Sequence, residues 1–180
     1  IGYLEGQDPK LKDEVIIIGG HYDGQGNYTV LLPGALDNAT GTIDILATAR
    51  AMAGSKIPIK CSVVFMFISG EEVGLVGSHL YVEKPLFPKE KTIVYINLDM
   101  VGNGKGFSIR GGKTHPGISK FFEEANQKYI KRPFKMSGKR EYYGRPRSDG
   151  HVFLRAGYRG LGMGLSDWDK PVNYHLPTDS

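Results

Sequence analysis

The sequence predicts an α/β fold, a single domain in which a largely parallel sheet carries helices on both faces. Two observations carry this. Continuous apolar runs recur at Val15 to Gly20 (VIIIGG), Cys61 to Ile68 (CSVVFMFI) and Lys91 to Met100 (KTIVYINLDM), and they lack the alternation of a strand with one wet face. Segments of helical character lie between them, the arrangement that gives parallel strands and a three-layer αβα sandwich. The length of 180 residues with 40% hydrophobic content suits one core, and no internal boundary is evident.

Taken in order, the first strand ends in glycines, and a Gly-, Asn- and Pro-containing loop runs from Tyr22 to Gly34. Ile43, Leu46 and Ala47 have helical spacing within a helix predicted over 38–53 and stopped near Gly54. After the second strand, residues 71–82 read as a helix that ends before Pro85. The third strand is followed by a short one over 106–110. Pro116 suits the first turn of a helix to about Ile130. Residues 131–147 read as a long polar loop. Ser148 is the expected N-cap of a short helix to Ala156, and 158–165 is the last strand.

Composition removes several classes. No apolar run approaches the roughly 18 residues of a membrane span. A single cysteine, Cys61, cannot form an internal disulfide and reads as packing at a strand start. The net charge of +4 comes from 23 Lys and Arg against 19 Asp and Glu. Part of it is clustered between Lys128 and Arg147, which reads as a solvated loop beside a helix in preference to an anion or nucleic-acid patch. There is no HExxH, no G-x-S-x-G and no P-loop. Gly102 to Gly106 follows a strand without leading into a helix, so it reads as a turn and not as a phosphate cradle.

The acids and histidines carry the functional signal. In open α/β sheets, sites form beyond the carboxyl ends of the strands. The first strand ends in His21-Tyr22-Asp23, the second runs into Glu71-Glu72, the third ends at Asp99, and the last leads on toward Tyr174-His175. Asp37 joins them from the first loop. A carboxylate after Ile96 and Leu98 on a buried strand needs a partner. Two adjacent glutamates repel unless one binds a cation or a proton. Two imidazoles with three or four carboxylates suit zinc, with cobalt or manganese as substitutes. The set is too large for one tetrahedral ion and suits two. If Asp37 bridges them, Glu71 is left unliganded in the position of a general base.

Gly-Gly-His21-Tyr-Asp, Gly-Ala-Leu-Asp37-Asn-Ala-Thr-Gly, Ser-Gly-Glu71-Glu72-Val-Gly-Leu-Val-Gly-Ser, Asn-Leu-Asp99-Met-Val-Gly and Tyr-His175-Leu-Pro-Thr-Asp together resemble the M28 family of zinc-dependent aminopeptidases. The likeness runs from about residue 15 to 179. It implies the zinc-peptidase (phosphorylase/hydrolase-like) fold and two Zn2+ per chain. His21 and Asp99 would hold one ion, Glu72 and His175 the other, with Asp37 bridging. Glu71 would be the general base for attack by a metal-bridging water, and then the proton donor to the leaving amine. Tyr174 would contact substrate or orient a ligand. Tyr22 and Asp23 would stand behind the ligands, since ligand imidazoles need an acceptor for their other nitrogen.

The substrate implied is a peptide with a free N-terminus. Its side-chain pocket is expected near Tyr142, Tyr143 and Phe153, whose aromatic character favours apolar first residues. A one-zinc glutaminyl cyclase and a carboxypeptidase, the latter using Arg145 or Arg147, are alternatives on the same fold. Receptor-like relatives have lost ligands, whereas every expected ligand is present here. Family members commonly show Ser-Asp-His where this chain has Ser148-Asp149-Gly150-His151, so His151 is read as a pocket wall. The family domain continues past its last histidine into a covering helix. A longer parent chain lacking that helix in this segment, and a secreted or periplasmic location, are therefore expected. The oligomeric state is left open.

Overall fold

The computed structural model describes residues 1–27, 29–102, 104–138, 146–166 and 173–180. Its centre is a seven-stranded sheet. The strands are β1 (Gly2–Leu4), β2 (Val15–His21), β5 (Ser62–Ile68), β6 (Thr92–Leu98), β7 (Phe107–Arg110), β8 (Phe134–Met136) and β9 (Gly160–Leu165), in the spatial order β1-β5-β2-β6-β9-β7-β8. From β5 to β9 the neighbours run parallel, β1 and β7 pair antiparallel with β5 and β9, and β8 runs parallel to β7. A small hairpin, β3 (Gly26–Asn27) and β4 (Leu31–Leu32), stands apart in the first loop.

The helices are α1 (Thr40–Ala53), α2 (Val76–Glu83), α3 (Pro116–Ala125) and α4 (Asp149–Arg155). Side-chain alternation along β2 sorts them into layers. Ile17, with Val64, Met66 and Tyr95, packs with Tyr81 of α2 and Phe153 of α4. Ile18 belongs to the cluster around Ile45 of α1, and Ile16 to that around Ile118 and Phe122 of α3. The three-layer αβα sandwich with a mostly parallel sheet is thus what the chain forms.

Register positions the site. His21 pairs with Ile68, and Gly19 with Asn97. The ends of β2, β5 and β6 therefore finish at one edge, delivering His21, the Glu71-Glu72 loop and Asp99 to the same place.

Several boundaries differ from the sequence reading. The helix predicted from 71 begins only at Val76, because Gly70, Gly74 and Leu75 all have positive φ and hold residues 71–75 in a turn. The helix predicted from 38 begins at Thr40, since Asp37 and Asn38 have non-helical backbone angles. The expected loop over 131–147 contains β8. Ser148 does occupy the N-cap position of α4, but its hydroxyl makes no capping bond and lies 3.4 Å from His151 Nδ1. Among the described residues, no helix is long and apolar enough to cross a membrane.

Candidate active site

The site is held by backbone hydrogen bonds that radiate from a few buried polar side chains. Asn38, 1% exposed, is the principal one. Its Nδ2 donates to His21 O at 3.2 Å and Leu98 O at 2.9 Å, while its Oδ1 accepts from Gly41 N and Met100 N, each at 3.1 Å. One amide therefore ties the ends of β2 and β6 to the start of α1. The approach leaves no room for side chains: a Cβ on Gly20 would lie 2.3 Å from Leu98 O, and one on Gly41 2.5 Å from the same atom. Asp179 does similar work from the chain's end, accepting from Leu36 N at 2.8 Å and Asp37 N at 3.4 Å. Asp23 accepts from Glu71 N at 3.3 Å and Glu72 N at 3.2 Å, which fixes the turn that carries both glutamates.

The predicted ligands converge on this frame. His21 Nδ1 lies 3.0 Å from Asp23 O. Donation there turns Nε2 toward Asp37 Oδ1 at 3.2 Å and Asp99 Oδ1 at 3.8 Å. On the other side, His175 Nε2 lies 3.0 Å from Asp37 Oδ2 and 3.5 Å from Glu72 Oε1. The Asp37 carboxylate thus presents one oxygen to each histidine. Donor atoms of His21, Asp37 and Asp99 lie within 4.8 Å of one another, and so do those of Asp37, Glu72 and His175. Gln25, which the sequence reading did not single out, donates to Glu72 Oε2 and lies 3.3 Å from His175 Nε2.

The electrostatics ask for cations. Among the described residues no Lys or Arg pairs with these carboxylates; their ion-pair partners are the two histidines. Glu72 Oε1 is buried without a hydrogen bond. Burial alone would lower the His21 pKa, but Asp37 and Asp99 outweigh it and carry the imidazole up to about 12. Burial pushes the Glu71 carboxyl up to about 8, with Asp149, Asp99 and Glu72 adding to the effect and His21 opposing it. A donor set of nitrogen and oxygen, with a buried carboxylate oxygen left without a hydrogen bond, fits borderline divalent metal such as zinc.

His21, Asp37, Glu72 and Asp99 line a cavity of about 320 Å3 with Glu71, Tyr174, His151, Met100, Arg110 and Arg147 on its walls, while His175 borders a smaller hollow with Gln25 and Asp37. Tyr174 stacks on His175, with ring centres 3.7 Å apart. His151 lies on the wall of this cavity. Tyr22 is 57% exposed and turned to solvent. Phe153 is a correction. It is fully buried in the core, stacked on Tyr95 at 3.7 Å, and does not line the cavity that holds the acidic cluster, because α4 turns that position onto the sheet. Tyr142, Tyr143 and Arg145 lie outside the described residues.

The sequence model of Peptidase family M28 matches residues 1–180. The chain belongs to peptidase family M28. It is 30% identical over 175 residues to a probable leucine aminopeptidase 2 of Aspergillus fumigatus, covering 91% of this chain and 32% of that protein. A vacuolar membrane protease of Candida dubliniensis is 28% identical over 179 residues, 98% of this chain and 18% of that one. The chain therefore spans about a third or less of these relatives' length. Among solved structures, a zinc aminopeptidase from Bacillus subtilis superposes with a TM-score of 0.78 at 24% identity, covering 99% of this chain and 43% of that one. Glutaminyl cyclase from Porphyromonas gingivalis shares the fold with a TM-score of 0.67 at 20% identity, covering 93% of this chain and 66% of that one.

Proposed function

We propose that this M28 chain is the catalytic part of a two-zinc aminopeptidase that removes the first residue of peptides. The Asp37 carboxylate, directed at His21 through one oxygen and at His175 through the other, is the observation that carries this reading. His21 and Asp99 would hold one ion, and Glu72 and His175 the other. When bound, zinc polarises a carbonyl and brings a water to ionisation near neutral pH.

The chain's own groups then divide the work. Glu71, half-buried on the cavity wall, takes the proton of the attacking water and returns it to the leaving amine. Its carboxyl, raised by burial in the protein without metal, is brought down by bound cations, so that it is ionised when it must accept. Tyr174, whose phenol burial pushes up to about 12 with Asp37 and Glu72 adding, stays protonated and is placed to donate to the scissile carbonyl's oxygen. The free α-amine meets the carboxylate-rich wall, which limits cleavage to the first residue.

Elemental analysis of wild type and Glu71→Gln, with hydrolysis of aminoacyl chromogenic substrates, tests this. Two zincs per chain in both proteins, and a turnover lost by about a thousandfold in Glu71→Gln, is the expected result. One zinc, with cyclisation of N-terminal glutamine in place of hydrolysis, would move the chain to the cyclase reaction.

A further inference from the structure

A second cavity, of about 360 Å3, opens beside the first and shares Asp99, Met100 and Arg110 with it. Arg110 reaches it across β9. β7 runs antiparallel to β9, with Arg110 opposite Gly162 and Ser108 opposite Gly164. A Cβ on Gly162 would sit 3.3 Å from Arg110 Nε. One on Gly164 would sit 2.8 Å from Arg110 Nη2 and 3.0 Å from Asp99 O. The two glycines leave the trough in which the guanidinium lies, and the trough ends beside the backbone of a proposed metal ligand.

The surroundings of this guanidinium are specific. Among the described residues, Arg110 has no hydrogen-bond or ion-pair partner. Lys135, opposite Ser108 on β8, lines the same cavity, its Nζ donating to Ser166 O at 3.2 Å. Ser137 lines it too, and its Oγ is buried without a hydrogen-bond partner. Met136 and Leu165 complete the wall. A half-buried cation without a counter-ion is costly, so its partner is expected to arrive with a ligand. Two cations and an unused hydroxyl, reached past thioether and aliphatic walls, match a short methylene stem that ends in a carboxylate.

We propose that this cavity receives the side chain of the substrate's first residue and selects glutamate or aspartate. Arg110 is the charge partner, Lys135 reinforces it, and the Ser137 hydroxyl donates to the second oxygen. This rests on the aminopeptidase reading above. It departs from the apolar preference expected of an aromatic pocket, since Phe153 is in the core and the described lining carries Arg110 and Lys135, with Asp99 at the end shared with the first cavity.

The test compares kcat/KM of the zinc-loaded chain on peptides that differ only in the first residue: Glu, Asp, Leu or Lys. Variants are Arg110→Gln, Arg110→Lys and Lys135→Gln, with calorimetric binding of free L-glutamate and L-leucine alongside. Wild type should prefer Glu and Asp over Leu by about tenfold or more, and Arg110→Gln should collapse that ratio by about tenfold, with partial rescue in Arg110→Lys. Glutamate should bind more tightly than leucine, and lose that advantage in Arg110→Gln. If Leu is cleaved best and Arg110→Gln leaves the ratio alone, the acidic pocket is refuted. A metal-bearing chain that cleaves nothing, yet binds glutamate through Arg110, would defeat the aminopeptidase reading and keep the pocket. If glutamate binding is also absent, both fail. If instead amidating the C-terminus of a dipeptide costs about tenfold in an Arg110-dependent way, the carboxylate recognised is the C-terminal one and the side-chain assignment is overturned.

Discussion

The two halves of the sheet are built differently. β5, β2 and β6 run parallel, are apolar on both faces, and end together at the carboxylate cluster. β9, β7 and β8 alternate glycine with aliphatic residues or mix polar with apolar ones, change direction at the β9–β7 pair, and border the second cavity. The first half spends its surface on packing and so can hold unlike-paired charges in fixed positions. The second gives up packing at Gly162 and Gly164 to make space. On the proposed reading, rigidity for the reacting groups and room for the substrate fall on opposite sides of β6.

The largest effect should separate the halves directly. Phe153 stacks on Tyr95, with Tyr81 and Tyr158 around it, beneath the parallel half. Phe134, half-buried on β8, meets Phe107 at the sheet's edge. Phe153→Ala should cost about 4 kcal/mol in urea unfolding, and Phe134→Ala about 1.5 kcal/mol. Equal losses would mean that the edge strands are as much part of the core as the centre.

Next comes the joint between core and site. Asn38→Ala strands Gly41 N and Met100 N as buried donors and takes the amide donor from Leu98 O and His21 O, leaving His21 O with Thr42 Oγ1 alone at 3.1 Å. A loss of about 3 kcal/mol is expected. Metal affinity should fall with it, because His21 and Asp99 are no longer held in register. A stable variant with unchanged zinc binding would show that the strands position the ligands without the amide.

The same division governed what the sequence disclosed. The parallel strands were legible as apolar runs, and the clustered side chains proposed as ligands as acids and histidines at their ends. β8 was hidden in a polar stretch because only three residues pair there, and β1 likewise. The late start of α2 was missed because Leu75, not only its glycines, adopts positive φ. Asn38 and Asp179 sat inside quoted motifs, yet their role as backbone anchors depends on contacts 60 and 143 residues away in sequence. Phe153 was read as a pocket wall from its aromatic character alone, whereas the helix phase of α4 decides its direction. Arg110 carried no signal until β9's glycines were seen to lie opposite it.

A smaller effect tests the buried charge under the site. Asp149 is 0% exposed, Ser78 donates to its Oδ1, and its Oδ2 has no partner among the described residues. Burial pushes its carboxyl up to about 6, although Ser78 and His21 pull the other way. The folded chain therefore holds this proton more tightly than the unfolded chain does. The group costs nothing below about pH 4, and stability is lost as pH rises through 6 and the charge forms. In chelator-treated protein, Asp149→Asn should gain on wild type by on the order of 2 kcal/mol between pH 4 and pH 8. A constant difference across that range would place the Asp149 charge in contact with water.

The smallest effect concerns Gln25, which joins the loop after β2 to the far ligands. Its amide donates to Glu72 Oε2 and lies against His175 Nε2, so it holds two proposed ligands of one ion without being one itself. Groups that orient metal ligands typically contribute ten- to a hundredfold in affinity. Gln25→Ala removes the donor and leaves every ligand in place. One zinc should therefore bind about tenfold more weakly while the other is unaffected, a split that competition with a chromophoric chelator resolves. Weakening of both ions would mean that Asp37 couples them, so that loosening the Glu72 side is felt at His21. Weakening of neither would show that the strand-end geometry on the parallel side suffices to place Glu72.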